Sequence, residues 1–204
     1  MPYRSPMIDP LATALRGTPA GSFVQVFEQR PTPPALVPPH ETPWRHELSQ
    51  QISTLAAGTL CGPTWRDASY AEAVKAGLLL WNDDLAAAHT LAQRLTHPTG
   101  SYWHALMHRR EPDYGNSKYW FDRVGDHPIF PELRTLATTT AEALGEAKLA
   151  TAVAASYEWN PFRFVDWCEA VTREPATAAY LGLVQLDELR LLLLHSFRQA
   201  TGKA

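Results

Sequence analysis

Ten of the chain's 17 prolines fall within residues 1–43, among them Pro31, Pro33, Pro34, Pro38, Pro39 and Pro43. Proline lacks a backbone donor and disfavours helix at the residue before it. Such density excludes a long regular element, so residues 1–43 read as a Pro-rich extended arm. Phe23, Val24, Val26 and Phe27 give that arm apolar points at which to dock on the domain formed by residues 44–204.

Beyond Pro43 the spacing turns helical. Trp44, Leu48, Ile52 and Leu55 recur at helical intervals, and Gly58 offers a stop. Further helices are expected over 70–81, 85–95, 102–110, 116–124, 131–155, 161–173 and 183–198. Asp84, Ser101 and Asn160 stand where N-caps are wanted. Pro131 and Pro161 suit a first helical turn. No stretch alternates with period two for long enough to demand a sheet, so the fold class is all-α, a compact helical bundle.

Hydrophobic residues make up 45% of the 204-residue chain, which can fill a core. A formal charge of −3 lacks the basic surplus of an electrostatic nucleic-acid binder. No apolar run reaches the roughly 20 residues that span a bilayer. The opening Met-Pro-Tyr-Arg-Ser-Pro shows no apolar leader segment, so a cytoplasmic protein is expected. Cys61 and Cys168 are too few for a disulfide framework.

A shift of 29 residues superposes two stretches. It pairs Ala76 with Ala105, Asp84 with Asp113, Leu91 with Trp120, Ala92 with Phe121 and Arg94 with Arg123. Each copy reads as helix, acidic turn, helix, and over residues 70–128 the pattern resembles tetratricopeptide or Sel1 helical hairpins. A second resemblance rests on longer strings: Trp81-Asn82-Asp83-Asp84 with His89, Tyr102-Trp103-His104, His108-Arg109-Arg110-Glu111, Asn116, and Lys118-Tyr119-Trp120-Phe121. With Gln185 and Glu188 these are similar to an uncharacterised family of bacterial and fungal helical proteins, over residues 70–200. That resemblance implies a helical fold and carries no activity with it.

Two chemistries are written into residues 89–123. His104 and His108 stand one helical turn apart, with Glu111 on the same stripe, and His89 borders the apolar face of the preceding helix. Two imidazoles at that interval can grip one divalent transition metal, and a third from a neighbouring helix completes a nitrogen set. Glu111 would then be a fourth ligand or the catalytic base of a metal-dependent hydrolase. The other reading is a ligand pocket. Arg109, Arg110, Lys118 and Arg123 would hold a small anionic or peptide-like molecule, with Asn116 as a neutral donor and Trp103, Tyr119 and Trp120 as wall. On that reading Arg110→Met should abolish binding and leave the fold intact.

A third possibility concerns the end of the chain. Leu189 and Leu191 to Leu194 are apolar nearly all round, so their helix either threads the bundle or serves as a homodimer face for a protein–protein interaction module. If it threads the bundle, Glu188 and His195 come within range of the His104 cluster.

Overall fold

The computed structural model describes residues 7–40, 42–171 and 177–203, and its described residues form twelve helices and no strand. These are α1 (Ile8–Ala14), α2 (Pro19–Glu28), α3 (His46–Thr54), α4 (Ala57–Leu60), α5 (Ala68–Trp81) and α6 (Leu85–Ala92). The second half holds α7 (Pro98–Arg110), α8 (Tyr114–Val124), α9 (Phe130–Ala143), α10 (Ala147–Ala154), α11 (Pro161–Ala170) and α12 (Ala178–Thr201).

α12 runs through the bundle, against α1, α5, α9 and α11. Leu189, Leu192 and Leu193 are fully enclosed, and Leu191 and Leu194 nearly so. The leucine-rich helix is therefore interior, and its apolar circumference is spent within one chain. The leucines at 189 and 191–194 offer no exposed face for the expected dimer, and a glutamate at Leu191 or Leu194 would strike the core.

The Pro-rich segment departs from the extended reading. α1 and α2 occupy much of it, and Leu11, Leu15, Phe23, Val24 and Phe27 enter the same core as the rest of the chain. The prolines permit this because Pro10 and Pro19 fall in first turns, where a missing N–H breaks no helical hydrogen bond. Thr18 caps α2 by accepting from Gly21 N. Among the described residues of the segment, 30–40 are the longest stretch without regular structure, and Ala35 there accepts hydrogen bonds from Arg110 and Gln185.

Two other expectations change. The helix expected over 131–155 is broken into α9 and α10 at Gly145, whose φ of 74° suits glycine. α7 begins three residues before Ser101, with His97 as its cap: the ring Nδ1 accepts from Gly100 N at 3.1 Å. Asp84 and Asn160 cap as the sequence suggests, accepting from Ala87 N and Arg163 N. The expected end of the 161–173 helix lies partly outside the described residues. No helix among the described residues is long and apolar enough to cross a membrane.

α5–α6 and α7–α8 form two successive hairpins, and the 29-residue echo marks their corners. Asp84 and Asp113 each cap the second helix of a hairpin at 3.1 Å. The residue before each cap, Asp83 (φ 61°) or Pro112 (φ 27°), takes a positive φ. Asp83 is held there by two arginines, Arg30 and Arg110. Pro112 has only its ring, which favours a φ of about −65° and opposes the turn. Pro112→Gly should relieve that strain and stabilise the protein by about 1 kcal/mol, a rise of roughly 2–4 °C in melting temperature; an unchanged or lower melting temperature would show the turn to be unstrained.

Candidate functional site

Residues 99–110 of α7 are all buried, so the helix meets neighbours on every side. At about 100° per residue it presents three polar faces. Arg110 lies on the first, Tyr102 and Arg109 on the second, His104 and His108 on the third.

The first face closes on α5. Arg110 is fully enclosed and donates to Leu80 O and Asp83 Oδ1, both at 2.5 Å, and to Ala35 O at 3.3 Å. Arg30 takes the other oxygen of Asp83 at 2.6 Å. Trp103 lies beside this face. Its ring sits where a Cβ on Gly77 would come within 2.6 Å, and its indole N–H donates to Ser196 Oγ at 3.1 Å. The second face closes on α12. Arg109 is paired with Glu188, approaches Gln185 Oε1 at 3.4 Å, and lies 4.7 Å above the Phe164 ring. Tyr102 donates to the other oxygen of Glu188 at 2.8 Å.

The third face meets α6 and α8. The ring centroids of His89 and His104 are 4.7 Å apart, those of His104 and His108 4.7 Å, and those of His89 and His108 5.2 Å. One nitrogen from each ring lies within 4.8 Å of the other two. His104 is 3% exposed, is stacked on Trp120 at 4.0 Å, and has no hydrogen-bond partner for either ring nitrogen among the described residues. Burial, reinforced by His108 and His89, pushes its pKa down to about 4. Burial also lowers His108, with His89 adding and Asp113 opposing.

Around His108 stand three further groups. Glu111 Oε2 is 3.5 Å and Asp113 Oδ2 3.9 Å from its Nδ1, and the Asn116 amide nitrogen is 3.0 Å from its Nε2. Burial raises the Glu111 carboxyl above its ordinary value; His89 pulls it back and Asp113 adds to the rise. Asp113 was legible only as a turn residue, yet its cap position on α8 carries it to the histidines.

The structure thus brings together His89, His104, His108, Glu111 and Asn116, and disperses the four cations expected to bind an anion. Arg109 and Arg110 are consumed by interior carboxylates on different faces. Lys118 pairs with Asp166 at 2.5 Å. Arg123 lies 3.6 Å above the ring of Tyr119, which is half exposed. Trp103 is enclosed away from Tyr119, and only Trp120 of the expected wall touches the histidines. Glu188 and His195 are also elsewhere: Glu188 on Arg109 and Tyr102, His195 with its ring 4.8 Å from His127.

The chain has no match among known protein families, curated proteins or solved structures. The chemistry of the site therefore rests on its geometry.

The Arg110 network changes the expected effect of Arg110→Met. The substitution leaves Asp83 with Arg30 alone and removes one donor each from Leu80 O and Ala35 O, which keep Asp83 N and Gln185, so it should cost about 1–3 kcal/mol of stability, read as a lowered urea midpoint; a midpoint unchanged from the parent would restore a purely binding role. The histidines set a pH dependence. Folded values of about 4 for His104 and about 3 for His127 lie below the unfolded value of 6.5, so the unfolded chain binds more protons as pH falls. Stability should be level above pH 7 and then drop by about 1 kcal/mol per pH unit for each ring between about pH 6 and 4. Urea melts across that range test this, and His104→Phe should remove the His104 contribution and leave that of His127.

Proposed function

We propose that the chain is a metal-dependent hydrolase built on a helical bundle, with one divalent transition ion held by His89, His104 and His108. The observation that carries this reading is His104, a buried imidazole with both nitrogens unpartnered, directed at two other imidazoles. Buried polar groups in folded proteins almost always have partners, and a bound ion supplies one. Tetrahedral zinc with Zn–N of about 2.0–2.1 Å needs nitrogens roughly 3.3 Å apart. Ligand atoms within 4.8 Å reach that spacing by small side-chain movements.

Three protein nitrogens with a fourth position left for water is the pattern of catalytic rather than structural ions. Glu111 completes the arrangement. Its carboxylate, beside His108 and raised in basicity, is suited to accept a proton from the bound water or to serve as fourth ligand. The tetratricopeptide-like hairpins then act as the scaffold that sets α6 against α7.

The test is elemental analysis of full-length protein purified without a His-tag or chelator, beside the His104→Ala/His108→Ala double variant. About one zinc, manganese or iron per chain is expected in the parent and none in the variant. A parent that neither carries nor takes up such an ion would overturn the reading.

A further inference from the structure

Among the described residues, Thr18, Asp67, Asp84, Asp113 and Asn160 cap their helices by accepting from the backbone N–H three residues on. None of those groups ordinarily changes charge near neutral pH. The cap of α7 differs in kind. It is the Nδ1 of His97, which accepts from Gly100 N at 3.1 Å. Only an unprotonated Nδ1 can accept. A proton there makes it a donor facing another N–H, and it sets a cation on the positive end of the helix dipole.

Two more imidazoles gather at the same turn. His127, between α8 and α9, lies 3.1 Å through Nε2 from Thr99 Oγ1, in the first turn of α7. Its Nδ1 accepts from Ile129 N, so the neutral ring carries its proton on Nε2 and donates to Thr99. His195 of α12 has its ring 4.8 Å from His127 and 6.3 Å from Tyr70 of α5, and Tyr70 in turn stacks on His97 at 4.2 Å. Imidazoles so placed repel one another once charged.

The surrounding charges set the direction of the response. Burial holds His97 below its ordinary 6.5, with the Ser69 backbone and Asp67 opposing. Burial lowers His195, and His97 and Arg198 add to it. Burial, His195 and His97 bring His127 to about 3. Asp67, the opposing carboxylate, is exposed and already caps α5. When the turn opens, His127 keeps its bond to Ile129 and its place against the Tyr102 ring, 5.0 Å away. His97 therefore carries the response. Its ring binds a proton more readily open than closed, so the closed turn loses stability as pH falls below about 6.5.

We propose that the first turn of α7 is an acid-released latch, closed by neutral His97 and opened by protonation of that ring, while Arg109 and Arg110 hold the far end of the helix in place. The latch is independent of the hydrolase reading, since it uses none of the three histidines assigned to the ion.

The test is amide hydrogen exchange by NMR on the full-length chain at pH 7 and pH 5, expressed as protection factors so that the intrinsic pH dependence of exchange cancels. Gly100 should lose about tenfold in protection between the two. At both pH values it should stay well below Leu192 in the core of α12, marking the opening as local. His97→Asn keeps a cap acceptor of the kind Asn160 supplies to α11 and cannot titrate, so its Gly100 protection should change by less than about twofold. His97→Ala should show low protection already at pH 7. Gly100 protection that is level in the parent, that matches Leu192, that falls as steeply in His97→Asn as in the parent, or that survives in His97→Ala would each overturn the latch.

Discussion

The pairing of Arg110 with Asp83 sets the frame in which the other contacts fall. A guanidinium enclosed on all sides is costly unless its charge is answered, and the two terminal nitrogens of Arg110 are met by the last turn of α5, the corner after it and the backbone of the proline-rich stretch. Those contacts fix both the depth and the rotation of α7 relative to α5. Once Arg110 points at α5, the helical period leaves Tyr102 and Arg109 directed at α12, and His104 and His108 directed at α6 and α8. The glycine at position 77 admits the Trp103 ring and lets the two helices approach closely enough for the pair to form. A charged contact on a different face of α7 from the histidines is therefore what aims them.

Specificity rather than net energy is the physical content of this network. A buried ion pair recovers little beyond its desolvation cost, whereas an apolar helix with the period of α7 has several rotations of similar energy. Arg109 on Glu188 and Arg110 on Asp83, on two different faces, leave one. Arg190, held between Glu28 and Asp187, makes the same kind of tie between α12 and α2. The core is thus an apolar bundle indexed by three interior arginines.

Much of this was written in local sequence. Apolar spacing located most helices, Asp84 and Asn160 announced their caps, and His104 with His108 and Glu111 stood on one stripe whatever the tertiary packing. What was not legible depends on partners far along the chain. Nothing near Arg109 or Arg110 says that their carboxylates are Glu188 and Asp83, so a run of cations beside aromatics reads equally as an anion pocket. α1 and α2 were hidden because proline density suggests extended chain unless each proline falls in a first turn, as Pro10 and Pro19 do. The break at Gly145 was hidden because glycine within a helical pattern gives no sign of whether its φ is positive. His89 was placed correctly at the edge of an apolar face because a hairpin leaves its two helices few ways to meet.

Two buried histidines of α7 and its surroundings show why desolvation alone does not define a site. His127 is as enclosed as His104 and its pKa is pushed still lower, to about 3. Yet its Nδ1 accepts from Ile129 N at 3.4 Å, and its Nε2 lies 3.1 Å from Thr99 Oγ1. That ring is a satisfied core group, kept neutral by burial and by the neighbouring His195 and His97. His104 has the same depressed basicity with neither nitrogen engaged, and its nearest polar neighbours are two more imidazoles. Neutral imidazoles with free lone pairs are what a transition ion binds, and protons compete for those lone pairs only at acidic pH. The low basicity that would merely weaken a lone core histidine in acid here keeps His104 and His108 unprotonated at neutral pH, side by side on one face of α7.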